Sequence, residues 1–208
     1  ARAPARSRPC KIVALWSFIR PLITKNGDSN KFPLFSKKGK FVTVPVFAYT
    51  MSGMKRIAVI GAGNIGAALI GGILKGGVAD KKHLVATEKS PERAKEISGK
   101  FSIPVTTGGN CEAVRGADIV ILAVKPPTIP LVLQEIRDTL RGDQTLISVA
   151  AAVPIALIEK IIGKRMAVFR AMPNIPVVVE EGATAVAANA VCSAAQRKVV
   201  ENIFRAVG

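Results

Sequence analysis

With 208 residues, 49% hydrophobic and only 5% aromatic side chains, the chain can build one good-sized core, packed closely from small aliphatic residues as where helices lie on a parallel sheet. Three distant cysteines, Cys10, Cys111 and Cys192, exclude a disulfide framework and a cysteine-based metal site, and no apolar run is long enough to cross a bilayer. The net charge of +16 invites a nucleic-acid reading, but residues 1–53 alone hold ten Lys/Arg against one acid, Asp28, while the other 155 residues carry 20 basic and 13 acidic side chains. That distribution describes a modestly basic domain joined to a very basic leader, and it argues against nucleic acid as the partner.

Residues 1–53 also hold seven of the ten aromatics and five prolines, at positions 4, 9, 21, 33 and 45. The leader is therefore expected to be mostly irregular. It reads as a transit-type presequence, as a basic arm for a polyanion, or as an extension upstream of a natural start at Met54. The last is preferred, because no amphipathic period is sustained. The compartment is then the cytoplasm, or an organelle if the leader is a transit peptide.

From Met54 the pattern alternates. β-rich runs fall at 56–60, 83–87, 103–106, 118–124, 144–149 and 166–170, with a short strand near 183–187. Helical stretches fall at 64–76, 91–99, 127–140, 154–162 and 193–206, the second opened by Ser90 as N-cap and Pro91 at N1. Such alternation implies an α/β fold, a Rossmann-type parallel sheet flanked by helices, over residues 54–208. His83 beside Lys81 and Lys82 reads as a solvated position.

The sharpest motif is Gly61-Ala62-Gly63-Asn64-Ile65-Gly66, which follows a strand ending at Ile60 and opens a helix. Gly61 permits the tight turn, Gly63 lets backbone approach a pyrophosphate, and Gly66 lets the helix pack hard on the sheet. Free N–H groups and the helix dipole would face the phosphates. Glu88 stands 22 residues beyond Gly66, near the spacing of an acid that accepts from the adenosine ribose. Lys89, Ser90 and Arg93 just beyond it suit a 2′-phosphate instead, so both NADH and NADPH remain open.

Later strand ends carry Lys125-Pro126-Pro127, then the small residues Ser148 through Ala152, then Arg170-Ala171-Met172-Pro173-Asn174-Ile175-Pro176, expected as a rigid loop. Asn174 is the candidate for substrate contact, since its amide offers both a donor and acceptors. Asn110 reads as an N-cap.

Together, GAGNIG, AVKP at Ala123–Pro126, SVAAAV, RAMPN at Arg170–Asn174 and EEGAT at Glu180–Thr184 resemble pyrroline-5-carboxylate reductases in order and spacing. The resemblance implies cofactor contacts at Ile60, Gly61, Ala62, Gly63, Asn64, Ile65 and Gly66, at Glu88 and Asn110, at Ala123, Val124, Lys125 and Pro126, and at Ala150 and Ala151. It implies reduction of 1-pyrroline-5-carboxylate to proline, no metal, no membrane, and a homo-oligomer for the full-length protein. Ala152 departs from the glycine usual in the family, and Ile175 from a frequent threonine. The family continues into a helical substrate and dimerisation domain with no counterpart in this chain. The chain alone is thus expected to be a poor catalyst, with a catalytic acid not identifiable here and aggregation-prone apolar surface near Ile203–Val207. Competing functions are a dehydrogenase of the hydroxyacid or 6-phosphogluconate type and a non-catalytic dinucleotide-binding module.

Overall fold

The computed structural model describes residues 31–35, 41–45, 55–174 and 182–208. The chain divides into two units, residues 1–52 and 53–208. In the first, β1 (Lys31–Phe35) pairs antiparallel with β2 (Phe41–Pro45), Lys31 opposite Pro45 and Phe35 opposite Phe41. The leader is expected to be mostly irregular, and this ribbon accounts for ten of its 53 residues. The β-branched run Val42-Thr43-Val44 favours extended backbone.

The second unit is built on a seven-stranded sheet. Its strands are β3 (Ile57–Ile60), β4 (Leu84–Glu88), β5 (Val105–Thr107), β6 (Ile119–Leu122), β7 (Thr145–Ser148), β8 (Ala167–Pro173) and β9 (Thr184–Ala188), in the order β5-β4-β3-β6-β7-β8-β9. All neighbours are parallel except β8 and β9. Among the described residues five helices connect them, α1 (Asn64–Lys75), α2 (Pro91–Phe101), α3 (Asn110–Arg115), α4 (Ile129–Ile136) and α5 (Ile155–Ile162), and α6 (Ala194–Arg205) follows β9. The Rossmann-type expectation is met.

Strands β3 and β6 are buried along their whole length, so the sheet's two faces read as continuous apolar runs. Ile57 and Val59 face Leu69, Ile70 and Ile73 of α1 and Ile203 and Phe204 of α6. Ala58 and Ile60 belong to the other layer, with Leu133 and Ile136 of α4 and Ile158 of α5.

Three elements differ from the sequence reading. Helix α3 was not anticipated: Gly109, at φ 71°, is its N-cap, and Asn110 is its first residue rather than the cap. The stretch expected as a helix over 127–140 begins with a 3-10 turn at Pro126–Thr128 and shortens to Ile129–Ile136, since Pro126, Pro127 and Pro130 have no N–H to donate. Residues Arg170–Pro173, expected as a loop, continue β8, because β9 returns antiparallel and pairs them from Arg170 opposite Ala187 to Pro173 opposite Thr184. Ile175, Pro176, Glu180 and Glu181 lie outside the described residues, as does Met54.

The closing helix is fully engaged. Ser193 and Gln196 form a reciprocal capping box, and the Gln196 amide also donates to Thr145 Oγ1 on β7 (3.1 Å). Ile203, Phe204 and Val207 are buried, which overturns the expected apolar surface at 203–207. Two glycines on α1 admit the chain end: a Cβ at Gly72 would lie 2.2 Å from Val207 Cγ1, and one at Gly76 would lie 2.7 Å from Ala206 Cβ.

Gln144 is a buried polar side chain that locks α3 to the sheet. Its Nε2 donates to the carbonyls of Val114 (2.8 Å) and Ala117 (2.7 Å), and its Oε1 accepts from Arg141 N–H (2.7 Å). Gln144→Leu removes three hydrogen bonds and leaves the Arg141 N–H without its acceptor, while Val114 O keeps Ala117 N–H and Ala117 O keeps Arg141 Nη2; it is expected to cost about 2 kcal/mol in urea unfolding. A loss below about 1 kcal/mol would mean that water replaces the amide.

Candidate cofactor site

The chain leaves β3 for β4 on one side and returns to β6 on the other, so the strand order reverses between β3 and β6. Ligands of open α/β sheets bind at the carboxyl ends of strands flanking such a reversal. The glycine turn stands there. Gly61 adopts φ 93°, and a Cβ on it would lie 2.8 Å from Val124 Cγ1 and 2.9 Å from the Ala123 carbonyl. Its N–H donates to Thr87 O (2.9 Å), while Ala123 N–H donates to Ile60 O (2.8 Å). The ends of β3, β4 and β6 are thus tied together around a residue that must be glycine. Ala62 beside it is buried.

Gly66 and Gly63 divide the remaining roles. A Cβ on Gly66 would fall 2.0 Å from the Gly61 carbonyl oxygen, so this glycine seats α1 on the turn. A Cβ on Gly63 would meet nothing within 4 Å. Gly63 is the N-cap of α1, no side chain caps that end, and no acid lies in its first turn. Asn64 and Ile65 are exposed beside it. The open space over Gly63, in front of helix N–H groups, is what a dinucleotide pyrophosphate requires. On this observation the residues present fit the cofactor.

A cleft of about 480 Å³ runs from Ile60 and Gly61 past Glu88 and Asn110 to Leu131 and Glu135. Glu88 ends β4, and its Oε1 accepts from Lys89 N–H (2.8 Å). The amide of Asn110 bridges the cleft wall: Oδ1 accepts from Thr87 Oγ1 (2.7 Å), and Nδ2 donates to Glu135 Oε2 (2.8 Å). Sequence reasoning placed Asn110 here but missed Thr87, Leu131 and Glu135. No local signal marks a helix residue 25 positions downstream as its partner.

Beyond Glu88, Ser90 Oγ accepts from Arg93 N–H (3.3 Å), which makes it the N-cap expected, and donates to Glu92 Oε2 (2.6 Å). That hydroxyl holds the Glu92 carboxyl below the ordinary glutamate value. Arg93 Nη1 donates to both oxygens of Glu96 at 2.7 Å.

At the other end of the site, Val124 is half-buried, Lys125 is exposed and Pro126 opens the 3-10 turn. Ala150 is buried and its N–H donates to Ser148 Oγ (3.4 Å), while Ala151 is exposed. Ala152 adopts φ 59°, the left-handed region that a side chain disfavours, and this accounts for glycine being usual there in the family it resembles. Ala152→Gly is expected to raise stability by about 1 kcal/mol, measurable as a shift in thermal midpoint. A lower midpoint would mean that the extra chain entropy of glycine exceeds the relieved strain.

Arg170, opposite Ser148 on β8, has a buried Nε with no hydrogen-bond acceptor and no carboxylate partner among the described residues. Asn174 is occupied in closing the β8–β9 hairpin: its N–H donates to Ala183 O (3.2 Å) and its Oδ1 accepts from Ala183 N–H (3.0 Å). Among the described residues its Nδ2 has no acceptor.

A second cleft, of about 450 Å³, opens at the amino ends of the strands beside Arg56, Lys82 and His83. It touches no residue of the glycine turn. The His83 ring sits 2.6 Å from Asp80 Oδ1, a hydrogen bond that holds the Asp80 carboxyl below its usual value. His83 is part of that local turn and not of the site.

A doubly wound sheet with a glycine turn at its reversal point defines a dinucleotide-binding domain of the Rossmann type. Residues 56–152 match the family described as NADP oxidoreductase, coenzyme F420-dependent. The chain is 40% identical over 153 residues to pyrroline-5-carboxylate reductase of Pseudomonas aeruginosa, covering 74% of this chain and 55% of that protein. Among solved structures, a pyrroline-5-carboxylate reductase from Coxiella burnetii superposes with a TM-score of 0.71 at 35% identity, over 75% of this chain and 57% of that one. The Plasmodium falciparum pyrroline carboxylate reductase, solved with NADP bound, superposes at 0.66 with 28% identity, over 75% and 57%. A 3-hydroxyisobutyrate dehydrogenase from Mycobacterium tuberculosis shares the fold alone, at 14% identity and TM-score 0.60. Over this domain the chain is similar to pyrroline-5-carboxylate reductases, and it spans little more than half the length of the curated relatives it matches.

Proposed function

We propose that this chain supplies the cofactor domain for NAD(P)H-dependent reduction of 1-pyrroline-5-carboxylate to proline. The carrying observation is the vacant space over Gly63 in front of an uncapped helix, in a chain 40% identical to such a reductase. A reduced nicotinamide held there would supply the hydride for the imine carbon, the ring nitrogen taking a proton. The backbone of Gly61–Gly66 holds the pyrophosphate. Glu88 and Asn110 line the ribose end. Ala123–Pro126 and the small residues Ala150 and Ala151 line the nicotinamide half. The buried donor of Arg170 offers a hydrogen bond to an oxygen acceptor at the same edge. The task is chiefly positioning: two rings held face to face, with water kept out.

The free thiols of Cys111 and Cys192 support a reducing compartment, the cytoplasm, and no helix among the described residues is long and apolar enough to cross a membrane. Homo-oligomer formation belongs to the same reading.

The test is a chimera in which this chain is followed by the remaining part of the P. aeruginosa relative, assayed for proline formation with NADH and NADPH beside the chain alone. The chimera is expected to turn over and the chain alone to be a poor catalyst. A folded chimera that binds a dinucleotide but leaves the imine unreduced would contradict the proposed reaction.

A further inference from the structure

We infer that this chain selects NADH over NADPH, because the ribose end of its cleft presents carboxylates to a 2′-hydroxyl while Ser90 and Arg93, which look suited to a 2′-phosphate, are engaged by neighbouring acids. The inference rests on the dinucleotide reading above and sharpens it.

Glu88 is at the end of β4, where an acid accepts hydrogen bonds from the free ribose hydroxyls and repels a phosphate. The next residues look suited to phosphate in sequence, yet two of them, Ser90 and Arg93, are engaged by acids of their own helix. Ser90 gives its hydroxyl hydrogen to Glu92. Arg93 is pinned by a two-oxygen contact to Glu96, both at 2.7 Å. Of the cations near this end, only Lys89 lines the cleft and has no carboxylate partner among the described side chains. Across the cleft, Glu135 adds a second carboxylate, held in place by Asn110.

A 2′-phosphate would therefore meet the carboxylates of Glu88 and Glu135 among the cleft-lining residues and would compete with Glu96 for the Arg93 guanidinium. The pair is exposed and individually weak, but its loss adds to the repulsion of every nearby acid. The fold does not impose the choice, since the Plasmodium falciparum neighbour was solved with NADP. The distinguishing feature is the local set of acids, Glu88, Glu92, Glu96 and Glu135.

Calorimetric titration of the full chain with NADH and with NADPH reads the ratio of the two dissociation constants. NADH is expected to bind at least about tenfold tighter. Glu88→Ser should narrow the ratio, and Glu88→Ser with Glu96→Gln, which frees Arg93, should narrow it further or invert it. Circular dichroism confirms that each variant is folded. Equal or tighter NADPH binding by the parent chain would overturn the inference, as would a ratio that none of the variants moves. In both cases the dinucleotide site itself would stand. Binding of neither nucleotide to the folded chain would bring down the dinucleotide reading and this inference together.

Discussion

Gly66→Ala is expected to unfold the domain. The added methyl would lie 2.0 Å from the Gly61 carbonyl, a backbone atom in a turn held by hydrogen bonds to β4 and β6, so the turn cannot yield. Helix α1 would have to lift from the sheet, exposing Leu69, Ile70 and Ile73, all completely buried. The cost is expected to exceed about 4 kcal/mol, the exceptional end for one substitution and a large share of a domain's stability. The same change at Gly99 on α2, where a Cβ would meet nothing within 4 Å, should stabilise by about 1 kcal/mol through helix propensity. Thermal melts of the two variants should therefore move in opposite directions. A Gly66→Ala protein that melts with its parent would mean that α1 is not pinned to the turn.

Gly63→Val should do the reverse: keep the fold and lose the cofactor. Gly63 sits at φ −65° and ψ −162°, which valine adopts readily, and no atom stands where its Cβ would go. Exchanging an N-cap glycine for valine costs about 1 kcal/mol of helix stability. The branched side chain then fills the space in front of the helix N–H groups in every rotamer. NADH affinity is expected to fall at least about a hundredfold. Calorimetry on the folded variant decides it, and unchanged affinity would mean that the pyrophosphate lies elsewhere.

Much of this was legible before any coordinates. Strand–helix alternation with right-handed crossovers implies the sheet, and the three glycines announce their separate duties through spacing alone. Ser90 and Pro91 mark the start of α2 because capping is local chemistry. What escaped was non-local. The bridge from Thr87 through Asn110 to Glu135 joins residues 23 and 25 positions apart, and only the packing of α3 against α4 brings them together. Arg170–Pro173 reads as a loop until β9 arrives to pair with it. Gly72 and Gly76 look like mere weak points in a helix until the chain end is seen lying against them. Ser90 and Arg93 look free in sequence, yet the fold pairs Ser90 Oγ with Glu92 and Arg93 Nη1 with Glu96, which composition alone does not weigh.

The most direct measurement of the central claim is a map of backbone amide resonances as NADH is titrated into the chain. The largest shifts are expected at Gly61, Gly63 and Ile65, at Glu88, and at Val124 and Ala151, all on the carboxyl edge of the sheet. Shifts that gather instead around Arg56, Lys82 and His83 at the opposite edge, or no shifts at all, would contradict the assignment of the glycine turn as the cofactor cradle.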